Sequence, residues 1–391
     1  MKTIYLSGGV RTAIGSFGGG FEQVPAVVLG SAVVRAALTR AGVSPDQVDE
    51  VIFGNVVSAG LGQNVARQVS IGAGLSPTVG ATTVNKVCGS GLKAVMLASQ
   101  AIQSEDASIV VAGGTENMSR TPYLLEKART GYRMGNGELI DSVIRDGLWD
   151  VYNKMHMGTC GDKCAEKFGF TRQQQDDFAV ASFQRAVEAA AKGIFAKEIV
   201  PVQAPAGREP VMMAEDETPK RFNEEKLRKL RPAFGEKGTI TAGNASSIND
   251  GAAAIIVSSA EQVDKLGLKP QAKILGYATY SREPEWFTLA PIGAIERLLK
   301  KLSLEASAVD LFEINEAFAV VPMAAMKQLG IPHEKVNVHG GAVALGHPIG
   351  ASGTRTLVTL LNAMQQRGAR IGINCLCIGG GEAVALAVQR C

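Results

Sequence analysis

Three segments from the first third of the chain recur, in the same order, near its end. The offset is close to 261 residues and grows slowly along the chain. Each early segment contains either a loop before a predicted strand or a glycine-rich turn. The matched pairs are 40–49 with 301–310, 88–91 with 350–353, and 111–116 with 377–382. Strand–glycine–helix units resemble one another in unrelated proteins, which is the alternative explanation. Three ordered matches favour two homologous halves.

Apolar runs alternate with helical periods along the whole chain, which predicts an α/β fold. Residues 1–7, 109–112, 253–257 and 371–376 are expected to form strands. Helices are predicted at 26–41, 91–104, 173–192, 291–302, 317–329 and 353–367. We divide the chain into a first half (1–117 with 248–270), an inserted segment (118–247) and a second half (271–391).

Composition excludes several classes of protein. The 391 residues carry a net charge of only +3, which argues against nucleic-acid binding. No apolar run approaches the roughly 18 residues of a membrane helix. The six cysteines are too few for a disulfide framework, so we expect free thiols in a reducing cytoplasm. Glycine is abundant, at 45 residues.

Cys88 is the first candidate for chemistry, because it lies where a strand-like run meets a turn and then a helix. Free N–H groups and the helix dipole at such a position favour a thiolate. Gly89 and Gly91 would let a substrate approach the backbone closely. The alternative is a small buried cysteine under a tight turn.

His347 is the second candidate, since it lies inside the glycine-rich run 339–353. Imidazole is the natural acceptor for a thiol proton near neutral pH. The repeat places this turn opposite the turn of Cys88, so the two side chains could face each other. The alternative is a structural histidine.

Cys377 precedes a run of three glycines whose N–H groups could bind an oxyanion. A second thiol beside that turn could act as acid or base. Cys375 alternates with it along the strand and is expected to point to the opposite face, into the core. Asn315 either caps the helix that follows it or anchors a water or carbonyl in the site.

His156, Cys160 and Cys164 are spaced by four residues, as ligands on one helix face would be. Gly158 and Gly161 argue against a firm helix there, and no acidic residues follow to support metal ligands. We expect no metal site.

The four catalytic blocks together resemble the thiolase family, and within it the acetyl-CoA C-acetyltransferases. The resemblance spans the whole chain. Its carriers are Asn85–Gly91, Asn315–Ala319, Gly340–Gly350 and Cys377–Gly381, with Arg11–Thr12, Gly113–Ser119 and Asn244–Ala253 in support.

The resemblance implies a thiolase fold: two duplicated βαβαβαββ halves in a five-layered α-β-α-β-α arrangement, with an inserted loop domain that binds coenzyme A. The resemblance implies that Cys88 becomes acetylated and that His347 activates the Cys88 thiol. It also implies that Cys377 abstracts the α-proton of the second acetyl-CoA. One oxyanion hole would comprise His347 and a water on Asn315. The other would comprise the N–H groups of Cys88 and Gly379. The reaction would be the reversible condensation of two acetyl-CoA to acetoacetyl-CoA and CoA.

The resemblance also assigns residues to the coenzyme A site. Ser246 would contact pantetheine, and the acyl and pantetheine pocket would be lined by four further residues. The basic pair Lys220–Arg221 is the candidate for the nucleotide phosphates. The four pocket residues are His156, Met157, Phe287 and Phe318.

No cofactor or metal is implied, since coenzyme A is a substrate and product. A potassium-activated branch is suggested by Phe287, but the tyrosine of that branch is not evident near Lys220, so potassium dependence stays open. A cytoplasmic homotetramer, a dimer of dimers, is expected, with no nucleic-acid or membrane partner.

Three alternatives remain. A thiolase acting on a broader range of 3-ketoacyl-CoA chains shares all the motifs. A decarboxylating ketoacyl synthase shares the fold but lacks the glycine-rich block at Cys377. A non-catalytic protein that binds acyl-CoA or lipid would bind CoA without thiolysis.

Overall fold

A computed structural model describes residues 2–205 and 209–391 of the chain. At its centre lies an 11-stranded mixed sheet. Two of those strands are short, Gly15–Ser16 and Ile199–Val200. The other nine are β1 (Ile4–Thr12), β2 (Glu50–Gly54), β3 (Gly80–Val84), β4 (Ile109–Asn117), β5 (Asn249–Ser259), β6 (Ala272–Ser281), β7 (Leu311–Ile314), β8 (Ile371–Ile378) and β9 (Glu382–Arg390).

The strands run in the order β7-β8-β9-β6-β1-β5-β4-β2-β3 across the sheet. The last five belong to the first half and the first four to the second. The two halves meet at β1 and β6, which pair only through Tyr5 with Lys273 and Leu6 with Ala272. This short seam lets the two parts of the sheet face each other as separate layers.

Helices cover both parts of the sheet. They are α1 (Ala26–Ala41), α2 (Val65–Gly72), α3 (Ser90–Gln103), α4 (Met157–Phe168), α5 (Arg172–Ala191), α6 (Glu224–Arg228), α7 (Ala260–Leu266), α8 (Ala290–Leu302), α9 (Val320–Leu329), α10 (Ala342–Leu345) and α11 (Ser352–Arg367). Helices α1 and α2 cover the outer face of the first half, and α4, α8 and α9 that of the second. Helices α3 and α11 lie between the two parts, which completes a helix–sheet–helix–sheet–helix order.

The middle layer explains why α3 and α11 are so apolar or small. Leu92 and Met96 of α3 share a core with Leu357 and Leu360 of α11 and with strands from both halves. Every residue from 352 to 364 is buried, as is typical of a helix covered on all sides. The N-termini of these two central helices carry the turns of Cys88 and His347.

The duplication is visible in matching hydrogen bonds. Oδ2 of Asp49 accepts the N–H groups of Ser108 and Ile109, and Oδ2 of Asp310 accepts those of Arg370 and Ile371. These pairs fix the equivalence of β4 with β8 at an offset of 262. The sequence match of 111–116 with 377–382 is therefore about four residues out of register with the structural equivalence. One strand also differs: the counterpart of β3 is reduced to a bridge between Phe312 and Val336.

Five of the six predicted helices begin and end within about one residue of α1, α3, α5, α8 and α11. The sixth, predicted at 317–329, begins at Val320 instead, with Ala319 as its N-cap. Asn315 is therefore not a helix cap, because four residues of irregular backbone separate it from α9. The predicted N-terminal strand is β1, which starts at Ile4, while Met1 lies outside the described residues.

The predicted insertion 118–247 contains α4, α5 and α6 and several two- or three-residue strands, and its residues 206–208 lie outside the described part. The short strands are Tyr123–Leu124, Ile140–Asp141, Trp149–Asp150, Met155–His156, Val202–Ala204 and Val211–Met213. Arg11 of β1 ties this segment to the sheet through buried ion pairs with Glu198 and Asp216. The exact boundaries of the three parts stay a prediction. No helix in the described ranges is long and apolar enough to cross a membrane.

Candidate active site

A cavity of about 350 Å³ opens between the inserted segment and the ends of the central strands. Most of its walls are apolar side chains. Seven of the residues assigned to the site from the sequence line it: Cys88, His156, Met157, Ser246, Phe287, Phe318 and His347, together with the backbone of Gly379. The structure thus brings together residues that are up to 291 positions apart in the chain.

Cys88 lies in a tight turn between β3 and α3. The preceding residue, Val87, has a φ of +45°, which is strained for a β-branched residue. The hydroxyl of Ser90 holds the turn, since it accepts the N–H of Lys86 at 2.8 Å and donates to the carbonyl of Val87 at 2.6 Å. The strained turn directs the Cys88 thiol into the cavity.

Burial raises the pKa of Cys88 to about 11, and the charge of Glu116 adds to that rise. The N–H groups of Gly379 and of Cys88 itself point at the sulfur and oppose the shift. The thiol is therefore protonated in the resting protein, and its reactivity depends on a nearby base rather than on a free thiolate.

His347 lies fully inside the protein, and its imidazole orientation is set by two contacts. Nδ1 is 2.6 Å from the hydroxyl of Ser352, which itself donates to the carbonyl of Pro348 at 2.8 Å. The hydroxyl proton is thus engaged, so Nδ1–H donates to Ser352 and Nε2 carries the lone pair. Burial, with the charge of Arg355, lowers the pKa of His347 to about 3. A neutral imidazole whose Nε2 carries a lone pair for a proton is what a general base requires.

Asn315 and Cys377 are buried and do not line the cavity, but Asn315 contacts His347, which does. The amide nitrogen of Asn315 is 3.4 Å from Nε2 of His347. Its Oδ1 is buried without a hydrogen-bond partner among the described residues. An amide with an open acceptor at this place can hold a water, as the resemblance implies.

Burial raises the pKa of the Cys377 thiol well above its ordinary value, and the charges of Cys88 and Cys375 raise it further. Hydrogen bonds from the Asn315 amide and the Ala317 N–H oppose this. The shift from Cys88 shows that the two thiols interact electrostatically. When Cys88 carries no charge, Cys377 therefore ionises more easily.

The prediction that Cys375 and Cys377 point to opposite faces is wrong. Residues two apart on a strand lie on the same face, and both thiols are buried in the same core, on the outer side of the second half. Cys375 Sγ lies 3.9 Å from the carbonyl of Pro291, away from the cavity lining. Cys375 is a core residue, as expected, but on the side of the sheet that also holds Cys377.

Aromatic rings form part of the cavity wall. His156 stacks on Phe234 with ring centroids 4.6 Å apart. Phe318 meets Phe234 and Phe287 edge-on, at 6.3 and 6.4 Å. Phe234 was missed in the sequence, because an isolated phenylalanine in a polar loop carries no motif. Flat, apolar walls of this kind suit the slender pantetheine chain of coenzyme A.

The remaining predicted binding residues lie at the rim or beyond it. Ser246 is half-buried and donates both its N–H and its hydroxyl to the carbonyl of Ala317, at 2.9 and 3.1 Å. Lys220 and Arg221 are exposed on a short 3-10 helix outside the cavity lining, and Lys220 pairs with Glu215 at 2.6 Å. Their place at the nucleotide stays a prediction.

The segment around His156 differs from expectation. Gly158 and Gly161 do not prevent a helix, and α4 runs from Met157 to Phe168 with His156 as its N-cap. Gly158 is needed for packing, because a Cβ there would lie 2.1 Å from the ring of Phe234. No group of acidic, histidine or cysteine side chains suited to a metal occurs within residues 2–205 and 209–391.

Three further side chains hold the catalytic turns and were not singled out from the sequence. Ser352 and Asn249 act on His347: Ser352 on the ring, and Asn249 by accepting the backbone N–H of His347 at 3.0 Å. Glu116 accepts the N–H of Gly350, three residues further on. All three lie inside sequence blocks that match the family or the repeat, but their partners are distant in sequence.

Comparisons with known proteins agree with this geometry. The chain matches the thiolase N-terminal domain over residues 4–261 and the thiolase C-terminal domain over residues 268–390. It is 52% identical to acetyl-CoA acetyltransferase 2 of Arabidopsis thaliana over 391 residues, covering 99% of this chain and 97% of that protein. It is 51% identical to acetyl-CoA acetyltransferase of Cupriavidus necator, covering all of both chains.

Among solved structures, the chain resembles the Acat5 thiolase from Ascaris suum, which was crystallised in complex with coenzyme A. The TM-score is 0.94 and the identity 43%, with both chains fully covered. The predicted fold and family are thereby confirmed. The chain belongs to the thiolase family of acyltransferases.

Proposed function

We propose that this thiolase is an acetyl-CoA C-acetyltransferase, which joins two acetyl-CoA into acetoacetyl-CoA and CoA and also runs in reverse. The observation that carries the proposal is the convergence of Cys88, His347 and Gly379 on one cavity, with Asn315 against His347 and Cys377 close to Asn315 and Cys88. The relatives named as acetyl-CoA acetyltransferases, at about half identity over the full length, support acetyl as the transferred group.

In the first half-reaction, Nε2 of His347 takes the proton of Cys88, and the sulfur attacks the carbonyl carbon of acetyl-CoA. The bond between that carbon and the sulfur of CoA then breaks, and CoA leaves with the proton from His347. The raised pKa of Cys88 means that this transfer needs the base to be in place. The N–H groups of Cys88 and Gly379 stabilise the negative oxygen of the tetrahedral intermediate.

In the second half-reaction, Cys377 first gives its own proton to Nε2 of His347, and the Asn315 amide contacts both groups. Acetylation keeps the Cys88 sulfur uncharged, so no negative charge there opposes this ionisation. The Cys377 thiolate takes a proton from the methyl carbon of a second acetyl-CoA, and the resulting enolate attacks the acetyl carbon on Cys88. The new carbon–carbon bond forms as the bond to Cys88 breaks, and the Cys88 thiolate takes a proton from Nε2 of His347. Before that transfer, the protonated Nε2 and a water on Asn315 donate to the enolate oxygen and stabilise it.

The pantetheine chain of CoA would lie along the wall made by His156, Met157, Phe287 and Phe318, with Ser246 at the rim. Lys220 and Arg221 are exposed, and Lys220 would exchange its surface pair with Glu215 for a nucleotide phosphate, which is the reason to propose the two residues there. A cavity of about 350 Å³ suits short acyl groups.

Two partial reactions test the proposed roles. Cys88→Ala should abolish acetyl transfer from acetyl-CoA, measured as loss of the acetylated protein by mass spectrometry. Cys377→Ala should still acetylate Cys88 but form no acetoacetyl-CoA. A folded Cys377→Ala protein that loses both steps together would contradict this division.

Substrate range is tested by thiolysis of 3-ketoacyl-CoAs from C4 to C16, each with and without potassium. Activity limited to the shortest chains supports the acetoacetyl-CoA reaction. Equal activity along the series would instead indicate a broad-range thiolase. CoA binding without any thiolysis would indicate a non-catalytic protein.

We also propose a homotetramer in the cytoplasm. The inserted segment exposes large apolar side chains, among them Met134, Tyr152 and Leu139, whose burial would favour assembly. All six cysteines are free, including the two proposed for chemistry, and a reducing compartment preserves free thiols. Light scattering of the purified protein tests the tetramer, and cell fractionation tests the cytoplasmic location.

A further inference from the structure

Glu116, near the end of β4, is a fully buried carboxylate that the reaction above does not use. Four N–H groups donate to it. Oε1 accepts the side-chain amide of Asn55 at 3.0 Å and the N–H of Val57 at 3.2 Å. Oε2 accepts the N–H groups of Val56 at 3.0 Å and of Gly350 at 2.9 Å. Every donor faces an oxygen, so the arrangement suits an ionised carboxylate, which only accepts.

The donors belong to the two sides of the active site. Val56 and Val57 pack in one small core with Cys88 and Ile349. Gly350 closes the turn that begins at His347, in the other half of the protein. Glu116 is thus a direct connection between the surroundings of the nucleophile and the turn of the base.

Close backbone contact makes this connection rigid. A Cβ at Gly350 would lie 2.6 Å from Oε2 of Glu116 and 2.9 Å from Cα of Asn55. A Cβ at Gly114, two residues before Glu116, would lie 2.1 Å from the carbonyl of Gly350. The His347 turn is therefore seated directly on the ends of β2 and β4, where side chains have no room.

We propose that Glu116 is a positioning residue: its carboxylate holds Gly350 against Val56 and Val57, and so keeps Nε2 of His347 aimed at Cys88. The inference rests on the proposed function, because it concerns the proton transfer between these two residues. The first half of the chain would thus help to position the base, His347, which the second half supplies.

Burial raises the pKa of Glu116 to about 7, against the opposing hydrogen bonds of Val56, Val57 and Gly350, and the charge of Asp250 adds to the rise. The titratable groups that face it are Asp250 of β5, whose own pKa is raised to about 6, and Cys88. When Glu116 is protonated, its O–H faces one of the N–H donors, and the hydrogen bond from that donor is lost. We therefore expect acylation to slow as pH falls through the neutral range.

The test compares Glu116→Gln with Thr115→Val in the full chain. Glutamine fills the same volume, but whichever way its amide turns, its NH₂ group faces two N–H donors. Thr115→Val also removes a buried hydrogen bond, that of the hydroxyl to the Ala26 carbonyl at 2.6 Å, and leaves the Glu116 contacts in place. Glu116→Asp retains an ionisable group on a shorter side chain.

The readout is the rate of Cys88 acetylation by acetyl-CoA in a single turnover between pH 5.5 and 9, beside the dissociation constant of CoA. Glu116→Gln should acetylate at least tenfold more slowly, lose the decline below neutral pH, and bind CoA within about threefold of wild type. Glu116→Asp should be slow but keep the decline. Thr115→Val should follow the wild-type profile.

Acetylation of Glu116→Gln at the wild-type rate, or persistence of the same decline in it, would overturn the inference. If Glu116→Gln does not fold, the Glu116→Asp profile decides: a rate equal to wild type overturns the inference, and a slow rate with the decline supports it. A wild-type protein that never acetylates Cys88 would instead refute the proposed function.

Discussion

The hydroxyl of Ser352 lies 2.6 Å from Nδ1 of His347, and Ser90 occupies the corresponding place in the turn of Cys88. Each serine is at the start of a central helix, and each donates to a carbonyl of the preceding turn, Val87 or Pro348. The duplication has thus placed the same polar residue beside both catalytic turns. Only in the second half does the hydroxyl accept from an imidazole, so only there does it select a tautomer.

Replacing Ser352 by alanine should slow Cys88 acetylation by about 10- to 100-fold, because Nδ1–H loses its acceptor and the ring is no longer held. CoA affinity should change little, since Ser352 does not line the cavity. Single-turnover acetylation and calorimetric CoA binding measure the two effects.

Ser258→Ala is the matched control for that substitution. Ser258 is equally buried, but its hydroxyl has no hydrogen-bond partner among the described residues. It should leave acetylation unchanged. A Ser352→Ala protein that acetylates within twofold of wild type would show that the hydroxyl does not govern the imidazole.

Phe234→Ala should weaken binding of CoA substrates, because the ring stacks on His156 and meets Phe318 edge-on. Loss of a buried aromatic ring costs several kcal/mol in a core, and a half-exposed cavity wall should cost less, about tenfold in KM. Alkylation of Cys88 by iodoacetamide should stay at the wild-type rate, since this small reagent does not use the wall.

Phe168→Ala provides the comparison, because Phe168 stacks on Phe170 away from the cavity. Its KM should equal that of wild type. An unchanged KM in Phe234→Ala, or an equal rise in both variants, would remove Phe234 from the pantetheine wall.

Arg11→Met should destabilise the protein by about 3–5 kcal/mol, as removal of one partner of a buried ion pair does. Arg11 is fully buried and pairs with Glu198 at 2.6 Å and with Asp216 at 2.7 Å. Both acids belong to the inserted segment, so the substitution leaves two uncompensated carboxylates where that segment meets β1. Urea unfolding measures the loss.

Lys229→Met removes an exposed pair with Glu225 and should change stability far less. Similar losses in the two variants would mean that the Arg11 cluster does not hold the inserted segment to the sheet.

The three turns proposed for catalysis could be located from the sequence because glycines are concentrated at them. Cys88, His347 and Cys377 each stand beside such a run, and the repeat pairs the first two. The residues that hold these turns could not be found in this way. Asn249 and Glu116 contact the His347 turn across 98 and 234 positions of sequence, and local pattern carries no information on contacts at that distance.

Two errors have equally physical origins. Gly158 predicts a weak helix in the sequence, yet helix α4 forms there. The position takes a glycine because the ring of Phe234 fills the space that a side chain would need. The helix after Asn315 starts three residues later than predicted because the intervening backbone is drawn toward the inserted segment. The carbonyl of Ala317 accepts the N–H of Ser246, and Ala319 donates its N–H to the carbonyl of Asn244. Tertiary contact overrode local preference at both places.

Glu313 offers a test of pH-dependent stability in the buried polar layer. Burial raises its pKa from an ordinary value of about 4.5 to about 8, and the charge of Arg355, 3.4 Å away, opposes the rise only in part. Between these two pH values the folded protein therefore binds a proton that the unfolded chain releases. The stabilisation from this proton is fully present below about pH 4.5 and is lost as pH rises toward 8.

Glu313→Gln mimics the protonated side chain at every pH, so the free energy of unfolding of wild type minus that of the variant should fall as pH rises from 5 to 8. The slope should be about 1 kcal/mol per pH unit at its steepest. Urea unfolding of both proteins at half-unit intervals measures it. A difference that is constant or rises with pH would mean that Glu313 is ionised in the folded protein, held by Arg355 as a buried ion pair.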